Sequence, residues 1–239
     1  MKNQYFGDNK DLFTYDLIWQ VMQAGLVEYF IFIPMLTKPD GTGHGRKMNR
    51  SKATGGTQNE ELMAFLDECV KNGRRNIKQL ENFFAENSIR MTIYHGEDTY
   101  FSHQKRREYF GQIRDELLTK SLVFVDPDIG LEVARSREQH VLYKEVKDLY
   151  QRMDNGSILM VYQCFPRKPH MEYLNIRMEE LKEKVSGDYP LCIDDDEIIF
   201  FFLTKDESLE HSLTHVIQDY AGRYSKYNDF EKGLVEIGD

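Results

Sequence analysis

The stretch Ser121-Leu-Val-Phe-Val-Asp-Pro-Asp-Ile-Gly-Leu-Glu132 constrains this chain most. Leu122 to Val125 form an unbroken apolar run rich in β-branched and aromatic residues, which reads as a strand buried on both faces, as in a parallel sheet. Pro127 ends it, having no N–H to give to a ladder. Gly130 lets the chain turn back. Asp126 and Asp128 are therefore expected at the carboxyl end of a central strand, the edge at which open α/β sheets bind ligands.

The surrounding pattern alternates strand and helix. Leu12, Tyr15, Ile18, Trp19 and Met22 recur at helical spacing, with Asp8 or Asp11 as cap. Tyr29 to Leu36 reads as the first buried strand, and Ile89 to Tyr94 as another that ends in His95-Gly-Glu-Asp98. Between them, helices are expected around Leu62–Cys69 and Ile77–Phe84. Ser102 is placed to cap a helix carrying Phe110, Ile113 and Leu117. Lys105-Arg-Arg107 stands in its early turns, where positive charge opposes the helix dipole. Leu142 to Met153 predicts the next helix, Ser157 to Tyr162 the next strand, and Leu174 to Val185 a helix. The runs around Pro190–Ile193 and Ile198–Leu203, joined by Asp194-Asp-Asp-Glu197, predict an antiparallel hairpin, and a last helix follows. The expected fold is α/β and Rossmann-like: a mixed, mostly parallel sheet with a terminal antiparallel hairpin and helices on both faces. No linker or repeat divides the chain, so residues 1–239 are expected to form a single domain, with 226–239 as a loosely held tail.

Composition narrows the classes. The formal charge of −9 argues against a protein that coats nucleic acid. Residues 37–56 are nonetheless locally basic, with Arg46, Lys47, Arg50 and Lys52, and could meet nucleic acid or a nucleotide. Cys69, Cys164 and Cys192 lack metal spacing and suggest reduced thiols in a cytoplasmic protein. No apolar run approaches a membrane span, and nothing resembles a signal peptide.

Several strand ends carry polar groups: Thr37, Gly96-Glu97-Asp98, Asp126-Pro127-Asp128, and Gln163 with Arg167. If the strands are parallel neighbours, these converge on one rim. A carboxylate on the central strand can accept a hydrogen bond from a nucleophilic amine. Gln163 and Arg167 can hold a base edge or a phosphate.

These features resemble the class I S-adenosylmethionine-dependent methyltransferases. The opening Tyr5-Phe-Gly-Asp-Asn-Lys-Asp-Leu-Phe-Thr-Tyr-Asp16 is similar to the start of the bacterial large-subunit ribosomal RNA adenine-N6 methyltransferases of the J type, with Gly7 and Asp11 on that family's Gly and Asp. The resemblance implies S-adenosylmethionine as cofactor. Tyr5, Asp11, Thr37, Gly96, Glu97 and Asp98 would lie around it, and Asp126, Pro127, Asp128, Gln163 and Arg167 would form the catalytic side. Asp128 and Ile129 stand where that family has its second Pro and its aromatic, and Pro34-Met-Leu-Thr37 stands where it has a glycine turn. Two alternatives remain open. One is a metal-dependent nuclease: Pro127-Asp128 with Glu145-Val-Lys147 matches the Pro-Asp…(Asp/Glu)-x-Lys pattern, although Glu145 and Lys147 fall in a stretch of helical spacing, and Asp126, Asp128 and Glu132 could hold Mg²⁺ as a loop cluster. The other is a non-catalytic nucleotide-binding module of the same fold. His211 and His215, four apart on the last helix, would need a third ligand to hold a metal.

Overall fold

The computed structural model describes residues 1–39, 41, 55–95, 100–166, 168–195 and 197–224. In chain order these form α1 (Asn9–Gln23), β1 (Tyr29–Pro34), α2 (Glu60–Lys71), α3 (Gln79–Glu86), β2 (Met91–Ile93) and α4 (Arg106–Gly111). They continue with β3 (Ser121–Asp126), β4 (Gly130–Leu131), β5 (His140–Val141), α5 (Tyr143–Arg152), β6 (Ile158–Cys164), α6 (His170–Leu181), β7 (Leu191–Asp194), β8 (Ile198–Leu203) and α7 (Glu207–Tyr224).

The fold is α/β and Rossmann-like. The main sheet has six strands in the order β2-β1-β3-β6-β8-β7. Strands β2, β1, β3 and β6 are mutually parallel, and β8 runs antiparallel to both β6 and β7. Every residue of β3 is buried, as an apolar run with helices over both faces requires. The pleat sorts its side chains cleanly. Phe30, Phe32, Leu122, Phe124, Ile158 and Met160 pack on one face with residues of α1, α2, α3 and α7. Ile31, Ile33, Val123, Val125, Leu159 and Val161 pack on the other with α4, α5 and α6. This is the period-2 alternation of strand side chains expressed as two separate cores.

Strand order places the site. From β1 the chain moves outward to β2, then returns to β3 on the other side of β1 and continues to β6. The order reverses between β1 and β3, and their last residues, Pro34 and Asp126, are paired in register. Ligands of open α/β sheets bind outside the strand ends at such a reversal.

The structure revises some local expectations. Asp8, not Asp11, caps α1, its side chain accepting from the Lys10 and Asp11 N–H groups. Ser102 caps no helix, because its Oγ turns to Gln104 Oε1. Helix α4 stops at Gly111, so Ile113 lies beyond it and Leu117 lies in a separate 3-10 helix, Asp115–Leu118, and these two do not share one helical face with Phe110. The short parallel pair β4–β5 had no sequence signal, since two residues per strand carry no periodicity. The tail after 224, most of the 37–56 loop, Gly96-Glu97-Asp98 and Arg167 lie outside the described residues. No helix among the described residues is long and apolar enough to cross a membrane.

Candidate functional site

The opening segment wraps the carboxyl rim of the sheet and builds the site there. Phe6 and Gly7 turn the chain into α1, and Asp11 Oδ2 accepts the Gly7 N–H at 2.8 Å. Gly7 has φ +87°, and a Cβ on it would lie 2.6 Å from Val70 Cγ2 of α2, so only glycine suits both the backbone and the packing. The Gly7 and Asp11 pair that carries the family resemblance thus has a structural task of its own.

This wrapping leaves a cavity of about 60 Å³ under the N-terminal segment, lined among others by Tyr5, Lys10, Asp11, Thr14, Asp126 and Tyr162. Asp126 is 7 % exposed, and its carboxylate makes no hydrogen bond among the described residues. Burial pushes that carboxyl up to about 7, partly offset by the positive charge on Met1, while Asp128 and Asp8 push it further in the same direction. Asp128 has the opposite environment. It accepts from Lys2 Nζ at 2.8 Å and from Gln139 Nε2 at 3.1 Å. Burial opposes its ionisation, but the charges of Met1 and Lys2 and these bonds outweigh that and hold it below the ordinary carboxylate range. Two acids on either side of Pro127 are driven apart, one towards the neutral form and one firmly ionised. Such divergence marks candidate acid–base groups.

The rim is closed on the β1 side by Thr37. Its N–H donates to the Met1 carbonyl at 2.8 Å, and the Met1 nitrogen donates to the Met35 carbonyl at 3.3 Å. On the β6 side, the Tyr162 hydroxyl pairs with Cys164 Sγ at 2.9 Å, and burial pushes the Cys164 thiol up. Lys10 reaches Glu197 of the β7–β8 turn at 3.6 Å.

Of the candidate residues, Tyr5, Asp11, Asp126, Pro127 and Asp128 line one cavity. Thr37 borders it through its bond to Met1. Gln163 does not join them. Its side chain is buried and spent on backbone, with Oε1 accepting from Leu131 N at 2.8 Å and Nε2 donating to the Cys164 carbonyl at 2.6 Å. It clips the 129–131 turn to β6, and a Cβ on Gly130 would run into its carboxamide, which explains that glycine. Gly96, Glu97, Asp98 and Arg167 are outside the described residues.

The nuclease pattern is not assembled. Glu145 and Lys147 lie on α5, not on a strand. Glu145 is paired with Arg106, whose Nε lies 2.5 Å from Glu145 Oε1, and its Oε2 accepts from Leu142 N. Arg106 is therefore a buried structural cation, which accounts for one charge of Lys105-Arg-Arg107. Glu132 Oε2 is taken by the Tyr143 N–H. Among the described residues no three His, Cys, Asp or Glu are placed to hold a metal ion. His211 and His215 face each other on the surface, 3.1 Å between Nε2 atoms.

Sequence reasoning missed the role of Met1 and Lys2, since a lysine near the start of a chain carries no signal of what it will touch. It also missed the Arg106–Glu145 pair, although a cation in the first turn of a helix was the visible anomaly. No family model, no curated protein and no solved structure matches the chain, so the geometry of this rim carries the functional argument.

Proposed function

We propose that this protein is an S-adenosylmethionine-dependent, methyltransferase-like protein that acts on nucleic acid or a nucleotide, with its site at the rim between β1 and β3. The observation that carries the reading is Asp126: a buried carboxylate that makes no hydrogen bond among the described residues, at the end of the central strand, facing a cavity at the topological reversal. An acceptor left open in this way suits the amino group of a ligand. Two further features support the reading. The terminal hairpin on which the resemblance rests is present. Thr37, the first residue of the basic 37–56 stretch, also lies on the rim, and Gly55 packs against Phe13 of α1.

The open acceptor fits an amine-bearing ligand, but the space does not fit a nucleoside. The cavity of about 60 Å³ has room for a few waters. Cofactor pockets take roughly 300 Å³ or more. No chemical step is therefore drawn through the cofactor.

A non-catalytic nucleotide-binding module is the second reading, favoured by the engagement of Asp128 with Lys2 and Gln139, which leaves Asp126 alone as a free acid. Calorimetry with S-adenosylmethionine and its demethylated product at millimolar concentration tests the first reading. Heat from either compound, lost in Asp126→Ala while that variant stays folded, supports it. No heat from either removes it. Binding without methyl transfer to any nucleic acid moves the assignment to the second reading.

A further inference from the structure

We propose that Met1 and Lys2 form a strap over the Asp126 cavity, latched by the Lys2–Asp128 ion pair, which lifts about Asn3 and Gln4 to admit a ligand. The contacts divide into two sets. The inner set holds the strap down: Lys2 Nζ to Asp128 Oδ2 at 2.8 Å, the Met1 ammonium to Asp128 Oδ1 at 3.5 Å, Thr37 N–H to the Met1 carbonyl at 2.8 Å, and the Met1 nitrogen to the Met35 carbonyl at 3.3 Å. The outer set pins the pivot. Arg75 Nη1 donates to the Gln4 carbonyl at 2.9 Å, and Ile77 N–H donates to Asn3 Oδ1 at 3.3 Å. Lys2 is only 8 % exposed, an unusual burial for a lysine, and its ammonium sits on the acid two residues beyond Asp126. Beneath it, Asp126 is 7 % exposed and makes no hydrogen bond among the described residues. A closed strap over an unsatisfied acid and a cavity too small for a nucleoside is a resting state with a door. On this assignment Asp128 is a positioning residue, acting through the strap and not on a ligand.

Amide hydrogen exchange resolved by residue tests this without any ligand, so its failure and the failure of the methyltransferase reading are separate results. The Thr37 amide reports the inner set, Met35 N–H, bonded to the Asp126 carbonyl at 3.0 Å, reports the sheet, and Ile77 reports the pivot. In the full chain, Thr37 is expected to exchange faster than Met35 and Ile77. Lys2→Ala is expected to speed Thr37 by about tenfold while the other two stay fixed. Asp128→Asn, which also releases the Met1 ammonium 3.5 Å away, is expected to speed Thr37 at least as much, and the double variant no more than Asp128→Asn alone. Thr37 exchanging only together with Met35, or unchanged rates in Lys2→Ala, overturns the strap. Additive effects of the two substitutions overturn the latch.

Discussion

Two buried acids on opposite faces of the sheet, Asp126 on the α1 side and Glu145 on the α4 side, make an instructive pair. Asp126 and Glu145 are 7 % and 6 % exposed, and burial raises the pKa of both. Glu145 is answered on every side: Arg106 Nε and Nη2 reach its two oxygens, and the Leu142 N–H caps it. Among the described residues Asp126 has no hydrogen-bond donor, and only the positive charge on Met1 favours its ionised form. The same degree of burial therefore means different things. A buried acid with its partners in place ties α4 to α5 and needs no ligand to explain it. A buried acid without partners is held there by the rest of the fold, and that is the signature of a site.

Removing the partner of the answered acid should have the largest effect. Arg106→Ala leaves Glu145 buried and alone, and is expected to cost about 3–5 kcal/mol of stability. Urea unfolding measures it, and a loss under 1 kcal/mol, estimated as the surface-pair range, would erase the contrast.

The unanswered acid should behave in the opposite way. Its folded-state pKa of about 7 lies above the unfolded value of about 3.9. Such an acid favours the fold while protonated, and that advantage is lost as pH rises through the folded value. Asp126→Asn, which cannot ionise, should match the wild type near pH 4. It should gain on the wild type by about 2–4 kcal/mol between there and pH 8, levelling off above pH 7. Unfolding curves across that range check it, and a pH-independent difference would show that Asp126 has an unseen partner.

A smaller effect is expected from the clip. Gln163→Ala leaves the Leu131 N–H unsatisfied and should cost about 1–3 kcal/mol, with ligand binding retained if Gln163 is only structural. Loss of binding without loss of stability would return it to the site. The smallest change sharpens the electrostatics. Asp8→Asn keeps the α1 cap, because Asn and Asp cap equally well, but removes a negative charge that raises the Asp126 carboxyl. Carboxyl carbon titration by NMR should then place Asp126 below its wild-type value with stability nearly unchanged.

Much of the fold was legible because it depends on local pattern. The apolar run Leu122–Val125 announced a strand buried on both faces, and the period of Leu12 to Met22 announced its first helix. The carboxyl-end placement of Asp126 followed from Pro127 alone. The partners of Gln163 were not legible, because its position after an apolar run is the same whether its amide faces a ligand or, as here, the backbone of a neighbouring turn.

The sequence by itself determined the six strands of the main sheet and most of the helices, and that two acids stand at the end of the central strand. Only the tertiary structure decided which acid is paired. Lys2 and Asp128 are 126 residues apart, and Arg106 and Glu145 are 39 apart. Hydrophobic periodicity is written along the chain and read within a few residues, whereas the pairing of a charge is set by whatever the fold brings beside it.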